Sequence, residues 1–221
     1  MQCLSRRVAS HQDLPHRLLS RLITRHQGSP YRRPFRYYSR DVFERLKKQV
    51  SLMDMPLIID AGCGTGESTI RLASKYPDCL VIGADKSARR LKRQGLVDNI
   101  AGKDNYLFVR TDLVDLWRQL KAVGWTIRKQ LLLYPNPWPR ARHIKRRWHA
   151  HPVFADMISL AQETEMRCNW PVYADEFGRA VFLVTGQPAR TELFSPDKPL
   201  SPFERKYQNS GHRLYRCRIK L

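Results

Sequence analysis

Between residues 56 and 134, four short apolar runs alternate with helix-forming stretches, and this alternation limits the fold more than any other feature. The runs are 56–60, 80–85, 106–110 and 129–134; helical stretches fall near 41–52, 67–75, 87–95 and 113–122. Neighbouring parallel strands need a crossover between them, whereas antiparallel neighbours need only a tight turn. The pattern therefore predicts an α/β fold: a mostly parallel central sheet with helices on both faces. A helix near 151–163 and a strand at about 165–169 continue the series. Ligands of such sheets bind beyond the carboxyl ends of the strands.

The first strand runs into Asp60-Ala61-Gly62-Cys63-Gly64-Thr65-Gly66. Glycines here let the backbone turn sharply and approach a ligand closely. The spacing is GxGxG, not the GxGxxG of nicotinamide binding. An acid two residues before the first glycine is ill suited to a pyrophosphate and suits a cationic or amino group. Asp85 ends the second strand, where a carboxylate can accept both hydroxyls of a ribose. Asp112, just past the third strand, can meet an adenine amino group. Three strand-end acids around one glycine turn resemble the S-adenosylmethionine site of Rossmann-like class I methyltransferases. The plainer alternative is a glycine turn with three solvated acids.

Net charge is +20 over 221 residues, which calls for a polyanionic partner. Residues 1–40 hold nine arginines and one acid, Asp13; the tail after Glu204 holds six cations and no acid. Composition thus divides the chain into a basic, partly disordered N-terminal arm (1–40) and a domain (41–221) with a basic C-terminal segment. In the arm, Leu14, Leu18 and Leu22 recur at helical spacing, as do Leu19 and Ile23. Three readings stay open for it: a nucleic-acid-binding arm, an organelle transit peptide, or an amphipathic helix packed on the domain. Residues 27–40 interleave aromatics with arginines, as a base-stacking segment or as a solvated linker with anchoring aromatics. The five cysteines (Cys3, Cys63, Cys79, Cys168, Cys217) form no CxxC pair, which argues against a zinc site or a disulfide framework and fits a cytoplasmic setting. No apolar run is long enough to span a membrane.

Past the fourth strand the chain reads Tyr134-Pro135-Asn136-Pro137-Trp138-Pro139-Arg140, then Arg142-His143-Ile144-Lys145-Arg146-Arg147. Three prolines stiffen the loop, since each fixes φ and removes a donor. An amide and an indole beside clustered cations suit a nucleic-acid base and its phosphates. This text resembles the bacterial-type tRNA (guanine-N7) methyltransferase family, which carries Pro-Asp-Pro-Trp followed by Arg-His-x-Lys-Arg-Arg. The family's Asp-Trp-x-x-Tyr is matched by Asn169-Trp170-Pro171-Val172-Tyr173. Its Thr-x-Phe-Glu and later Gly-His are matched by Ser201-Pro202-Phe203-Glu204 and Gly211-His212. The resemblance covers roughly residues 40–221.

The resemblance implies an S-adenosylmethionine-dependent enzyme methylating guanine N7 in tRNA, a monomer or weak homodimer without a membrane. It implies cofactor binding by Asp60, Gly62, Gly64, Gly66, Asp85, Asp112 and Asn136, with Asn136 also at the reacting base. It implies substrate contacts by Trp138, Arg140, Arg142, His143, Lys145, Arg146, Arg147, Asn169, Ser201, Phe203 and Glu204. For Lys145, Arg146 and Arg147 the blander reading is a solvated helix face. For Trp138 it is packing of the loop, for His143 a polar contact, and for Glu204 an ion pair with Arg205 or Lys206. Positions 136 and 169 are acids in the family and amides here, which removes charge near a base that turns cationic as it is methylated. Two other functions follow from that departure: methyl transfer to another RNA position or an exocyclic amine, or tRNA binding without catalysis.

Overall fold

The computed structural model describes residues 5–29, 31–97 and 99–221; Cys3 lies outside them. Packing groups the chain into two compact units. One holds the described residues up to Arg32 together with Tyr134–Ser159 and Glu163–Leu221; the other holds Arg33–Leu133 and Leu160–Gln162.

The chain opens with helix α1 (Leu19–Gln27), which buries Leu19, Leu22 and Ile23. It packs on α7 (Pro171–Thr185), while Leu14 and Leu18 stay exposed. The amphipathic spacing read from the sequence thus forms a packed helix, with the buried stripe one position round from Leu14 and Leu18.

The Arg33–Leu133 unit follows in the order α2 (Tyr37–Met53), β1 (Leu57–Ala61), α3 (Glu67–Lys75), β2 (Leu80–Asp85), α4 (Ala88–Leu91), β3 (Ile100–Lys103), β4 (Tyr106–Arg110), α5 (Leu113–Val123) and β5 (Ile127–Leu133). Its strands lie in the order β3-β4-β2-β1-β5. β1 pairs in parallel with β2 and with β5, and β2 with β4, as the alternation predicts. Every residue of β1 and β2 is buried, the signature of strands covered on both faces. The chain leaves β1 toward β2 and β4, then returns to β1's other side with β5. That reversal is the switch point where such sheets open a ligand crevice. One polar residue in β5, Gln130, is buried because Trp117 Nε1 donates to its Oε1 at 2.7 Å.

Two details of this unit differ from the sequence reading. The edge strand β3 was not foreseen; Ile100-Ala-Gly-Lys is too short and too exposed to show a period, and antiparallel pairing with β4 defines it. The basic helix near 87–95 is only α4 plus a 3-10 turn (Lys92–Gln94), stopped by Gly95 at φ 62°. The arginine–aromatic segment is largely turned on the chain itself. Arg33 and Arg36 hold Asp112 and Asp115, Arg118 lies 4.3 Å over Phe35, and Arg110 lies 5.2 Å over Tyr38.

The other unit continues with 3-10 turns at Ala141–Arg146 and Trp148–Ala150, then α6 (Phe154–Ile158), β6 (Ala161–Cys168), α7, β7 (Arg190–Phe194), α8 (Pro202–Asn209) and β8 (Leu214–Lys220). β8 pairs antiparallel with both β6 and β7. The helix expected over 151–163 is a single turn or so, and β6 starts at Ala161. Gln162-Glu163-Thr-Glu-Met-Arg has good helix formers, but tertiary pairing overrides propensity. Arg167 is neutralised by Glu165 at 2.6 Å and Glu204 at 3.0 Å, so a charged sequence becomes a buried strand. No helix among the described residues is long and apolar enough to cross a membrane.

Asp115 is fully buried and accepts from Arg33 Nη2 at 3.1 Å and from Arg36 N at 2.9 Å. Asp115→Ala is expected to destabilise the chain by about 2–3 kcal/mol in urea unfolding, through one buried charge-assisted contact and one stranded backbone donor.

Candidate functional site

In the parallel-sheet unit the three expected acids stand at the carboxyl ends of β1, β2 and β4. The glycine turn is pinned from beneath: Gly62 N and Cys63 N donate to Ala84 O at 2.8 and 3.1 Å, and Gly64 N donates to Asp85 Oδ2 at 3.1 Å. A Cβ built on Gly64 would meet nothing within 4 Å, so the turn's outer side is open to a ligand.

Asp60 is 1% exposed. Its Oδ2 accepts from Ser68 Oγ at 2.6 Å and Thr69 Oγ1 at 2.7 Å. Thr69 comes this close because Asp60's neighbour across the sheet is Gly83, where any Cβ would collide with the threonine hydroxyl. Oδ1 has no partner. Burial pushes the carboxyl from 3.8 up to about 6, against the pull of the two hydroxyls. A buried carboxylate with one bare oxygen beside an open glycine turn fits the cationic ammonium of S-adenosylmethionine.

Asp85 accepts from Ser87 N at 2.8 Å, Gly64 N at 3.1 Å and, more weakly, Arg90 Nη1 at 3.3 Å. A carboxylate offers about four lone-pair directions, so Asp85 keeps acceptor capacity beyond these three donors. Asp112 is placed differently from the expectation of a free acceptor. Its Oδ1 caps α5 through Val114 N at 3.0 Å, and its Oδ2 is held by Arg36 Nε at 3.0 Å. The same acid that ends β4 is the cap that starts α5, and capping uses one oxygen.

In the other unit the Pro-rich loop is held in a conformation its residues disfavour. Tyr134 has φ 50° and Trp138 φ 45°, both left-handed and both bulky. Such strain persists only where surroundings over-determine it. Tyr134 is anchored by its N–H to Arg167 O at 2.8 Å and by its hydroxyl to Glu204 Oε1 at 2.8 Å. Trp138 O accepts from Arg147 Nε at 3.3 Å and Nη2 at 3.1 Å. Between these anchors Asn136 is exposed, and its Oδ1 accepts from Trp138 N at 3.2 Å in a local side-chain turn.

Arg140, Arg142, Lys145 and Arg146 are exposed around the loop, as a phosphate-contacting cluster requires. Arg146 lies 4.7 Å over the Trp138 ring and His143 meets that ring edge-on at 5.7 Å, so the indole packs within its own cluster. Slight burial and then the neighbouring arginines keep the His143 imidazole below its ordinary pKa.

Three expected substrate contacts, Arg147, Ser201 and Glu204, are corrected by burial. Arg147 is 0% exposed: Nη1 reaches Glu176 Oε2 at 2.6 Å and Nη2 reaches Gln12 Oε1 at 2.9 Å, so it holds the loop and leaves no face for a phosphate. Ser201 and Glu204 are buried as well. Ser201 caps α8 through Glu204 N at 3.2 Å, and Glu204 is the partner of Arg167 and Tyr134. Asn169 Nδ2 meets His212 Nδ1 at 3.0 Å, joining two of the motifs the sequence singled out. Phe203 is half exposed and stacks on Tyr207.

Sequence reasoning missed Glu176, which ties together Arg147, His149 and the N-terminal segment. A signal was present: Glu176 is the one acid in α7's buried set of Val172, Tyr173, Ala174, Phe177, Ala180 and Val181. Ser68 and Thr69 were also missed, though two hydroxyls in the first turn of a helix after an acid-tipped strand are a readable pattern.

A model of the Methyltransf_4 family, described as methyltransferases, matches residues 54–217. The tRNA (guanine-N(7)-)-methyltransferase of Leifsonia xyli subsp. xyli is 24% identical over 72% of this chain and 74% of its own. That of Halorhodospira halophila is 27% identical over 72% of each chain. That of Mycobacterium avium is 32% identical over 71% of this chain and 62% of its own. Among solved structures, the 16S rRNA methyltransferase KamB superposes with a TM-score of 0.59 at 13% identity, over 80% of this chain and 93% of that one. The 16S rRNA (adenine(1408)-N(1))-methyltransferase of Catenulisporales acidiphilia superposes with a TM-score of 0.54 at 16% identity, over 80% and 89%. These superpositions establish the Rossmann-like α/β architecture of class I methyltransferases. With a family match running through most of its length, the chain belongs to the Methyltransf_4 methyltransferases, and its relatives by sequence are tRNA (guanine-N(7)-)-methyltransferases.

Proposed function

We propose that the chain methylates guanine N7 in tRNA with S-adenosylmethionine. The observation that carries this reading is the strained Tyr134–Trp138 loop, which presents Asn136 to solvent amid four exposed cations. When bound, S-adenosylmethionine supplies a methyl group on a sulfonium centre. Asp60 provides the anionic anchor for its amino group, Gly64 the open backbone, and Asp85 an acceptor for its ribose. Guanine N7 attacks with a lone pair that is already free, so no residue needs to remove a proton. A His143 imidazole held neutral by its surroundings is consistent with a contact role rather than that of a base.

Asn136 positions the base but adds no charge as the ring turns cationic. Arg140, Arg142, Lys145 and Arg146 bind phosphate. The exposed Arg6, Arg7, Arg17, Arg21 and Arg25 extend that surface in the same unit, making the N-terminal basic segment an RNA-binding arm. Lys145 lowers the proton affinity of His26 behind burial and Arg25, which brings the loop cations within electrostatic reach of α1. A cytoplasmic setting and a monomer or weak homodimer go with this reading.

The test is methyl transfer from labelled cofactor to unmodified tRNA, with the product mapped by reduction and aniline cleavage at 7-methylguanine. Labelled adenine or an exocyclic amine would overturn the assigned nucleophile, and salt-sensitive binding without transfer would overturn the enzyme. Asn136→Asp keeps the oxygen that accepts from Trp138 N and adds a charge. It is expected to raise kcat about ten-fold or more; a fall would instead assign Asn136 to an amino nucleophile.

A second prediction concerns pH. Because the folded-state pKa of Asp60 is raised from 3.8 to about 6, the unliganded chain loses stability as pH rises through that window, by roughly 3 kcal/mol in all. Cofactor binding has the opposite sign, since it needs the carboxylate. Calorimetry should show affinity at pH 5 about ten-fold below that at pH 7.5. Asp60→Asn should weaken binding at pH 7.5, flatten this dependence, and raise the unliganded Tm at pH 8 but not at pH 4. An unchanged affinity in Asp60→Asn would remove Asp60 from the cofactor site.

A further inference from the structure

The segment preceding α1 makes a run of specific bonds to the elements that shape the Pro-rich loop. Ser10 Oγ donates to Pro139 O at 2.7 Å, on the loop's own backbone. Gln12 Oε1 accepts from Arg147 Nη2 at 2.9 Å, and Gln12 Nε2 donates to Glu176 Oε1 at 2.8 Å. His16 N donates to the same Glu176 oxygen at 2.8 Å. Further back, His212 Nε2 meets Ser5 O at 2.9 Å, and Ser5 N donates to Ser210 Oγ at 2.9 Å. All of these residues belong to one unit.

We propose that residues 5–16 form an intramolecular strap that sets the active loop, with Gln12 as its positioning residue. The argument rests on how Arg147 is satisfied. Its guanidinium holds Trp138 O with two N–H groups and Glu176 with a third. Gln12 closes this ring, accepting from Arg147 on one side and donating to Glu176 on the other. A side chain carrying both a donor and an acceptor is needed there, because the position lies between a cation and a carboxylate. Asp or Glu would repel Glu176, Lys or Arg would repel Arg147, and an apolar residue would leave both short of a partner. Ser10 acts one step more directly, since its hydroxyl binds the carbonyl of the loop's last proline. The N-terminal segment therefore has a second role beside phosphate binding: it fixes where Asn136 stands. This part rests on the proposed methyl-transfer reading, whereas the strap itself rests only on the contacts.

The experiment separates the two. Full-length wild type, Gln12→Ala and Ser10→Ala are compared by hydrogen–deuterium exchange over peptides spanning 134–141, by calorimetry with S-adenosylhomocysteine, and by methyl transfer to tRNA. Gln12 is only part-buried and Ser10 lies in an irregular segment, so both variants are expected to keep their folds, with unchanged exchange across β1, β2 and β5 as the control. Each variant should speed exchange in the loop about ten-fold, leave S-adenosylhomocysteine affinity unchanged, and lower kcat for tRNA about ten-fold with KM for the cofactor unmoved. Gln12→Glu should be worse than Gln12→Ala, although it is nearer in shape. Loop exchange unchanged in both Ala variants would overturn the strap. Faster loop exchange in the Ala variants, with no methyl transfer by the wild type, would leave the strap standing and sink the functional reading.

Discussion

The buried pair of Arg147 and Glu176 is the interaction on which the arrangement of the Tyr134–Trp138 loop depends. Both side chains are fully excluded from water, where an unpaired charge would be costly. Burial alone would raise the carboxyl of Glu176, yet the bonds from His149 and Arg147 hold it down at about 2. Burial keeps the His149 imidazole below its ordinary pKa, and the Arg147 guanidinium lies 2.6 Å from the same Glu176 oxygen that His149 meets. The geometry is close to complete: Arg147 uses Nε, Nη1 and Nη2, and Glu176 receives on both oxygens. A buried ion pair is weak evidence for stability, but it specifies conformation when each member has several directional partners. Here the conformation specified is that of Trp138, whose left-handed backbone costs of order 1–3 kcal/mol and is held by the same guanidinium.

The glycine turn follows an opposite rule. Asp60 is as deeply buried as Glu176 but its partners are the hydroxyls of Ser68 and Thr69, and its Oδ1 has no hydrogen-bond partner among the described residues. Two hydroxyl donors moderate the desolvation without cancelling it, which is why the group titrates near 6 rather than near 2. One carboxylate is satisfied by the fold and shapes backbone; the other keeps an oxygen without a hydrogen-bond partner among the described residues. The contrast in their proton affinities is a contrast in purpose, and it is set by whether an arginine was placed within reach.

Much of this was legible before the coordinates. The strand–helix alternation gave the parallel sheet because strands covered on both faces are read as unbroken apolar runs, and β1, β2 and β4 are such runs. The glycine turn and Asp60 were legible because backbone geometry restricts which residues can stand there. β6 was not, because Glu165 and Arg167 look like a solvated helix until Glu204, distant in sequence, supplies the pairing that buries them. Arg147 was misplaced for a related reason. In the run Arg142-His-Ile-Lys-Arg-Arg every cation looks alike, and only the fold of the 3-10 turns decides that Lys145 and Arg146 face water while Arg147 turns inward. Composition reports charge but not its direction. The same limit applies to Gln12 and Ser10, whose roles depend wholly on contacts more than a hundred residues away in sequence.

The two amides at positions 136 and 169 then acquire a physical explanation. Asn136 accepts from Trp138 N, a task that a carboxylate oxygen would also perform, whereas Asn169 donates from its amide Nδ2 to His212 Nδ1, which a carboxylate cannot do. At position 136 an amide therefore keeps the scaffold part and gives up only the electrostatic part, while at position 169 the amide supplies a donor of its own. On the proposed reading, in which Asn136 meets the base, rate enhancement comes more from holding the base in register, and positioning is effective only if the loop does not wander. A loop with two left-handed aromatic residues, locked by Arg147, Tyr134, Glu204 and an N-terminal strap, meets that demand. The rigidity of this unit and the missing charge at Asn136 are, on this argument, two sides of one adaptation.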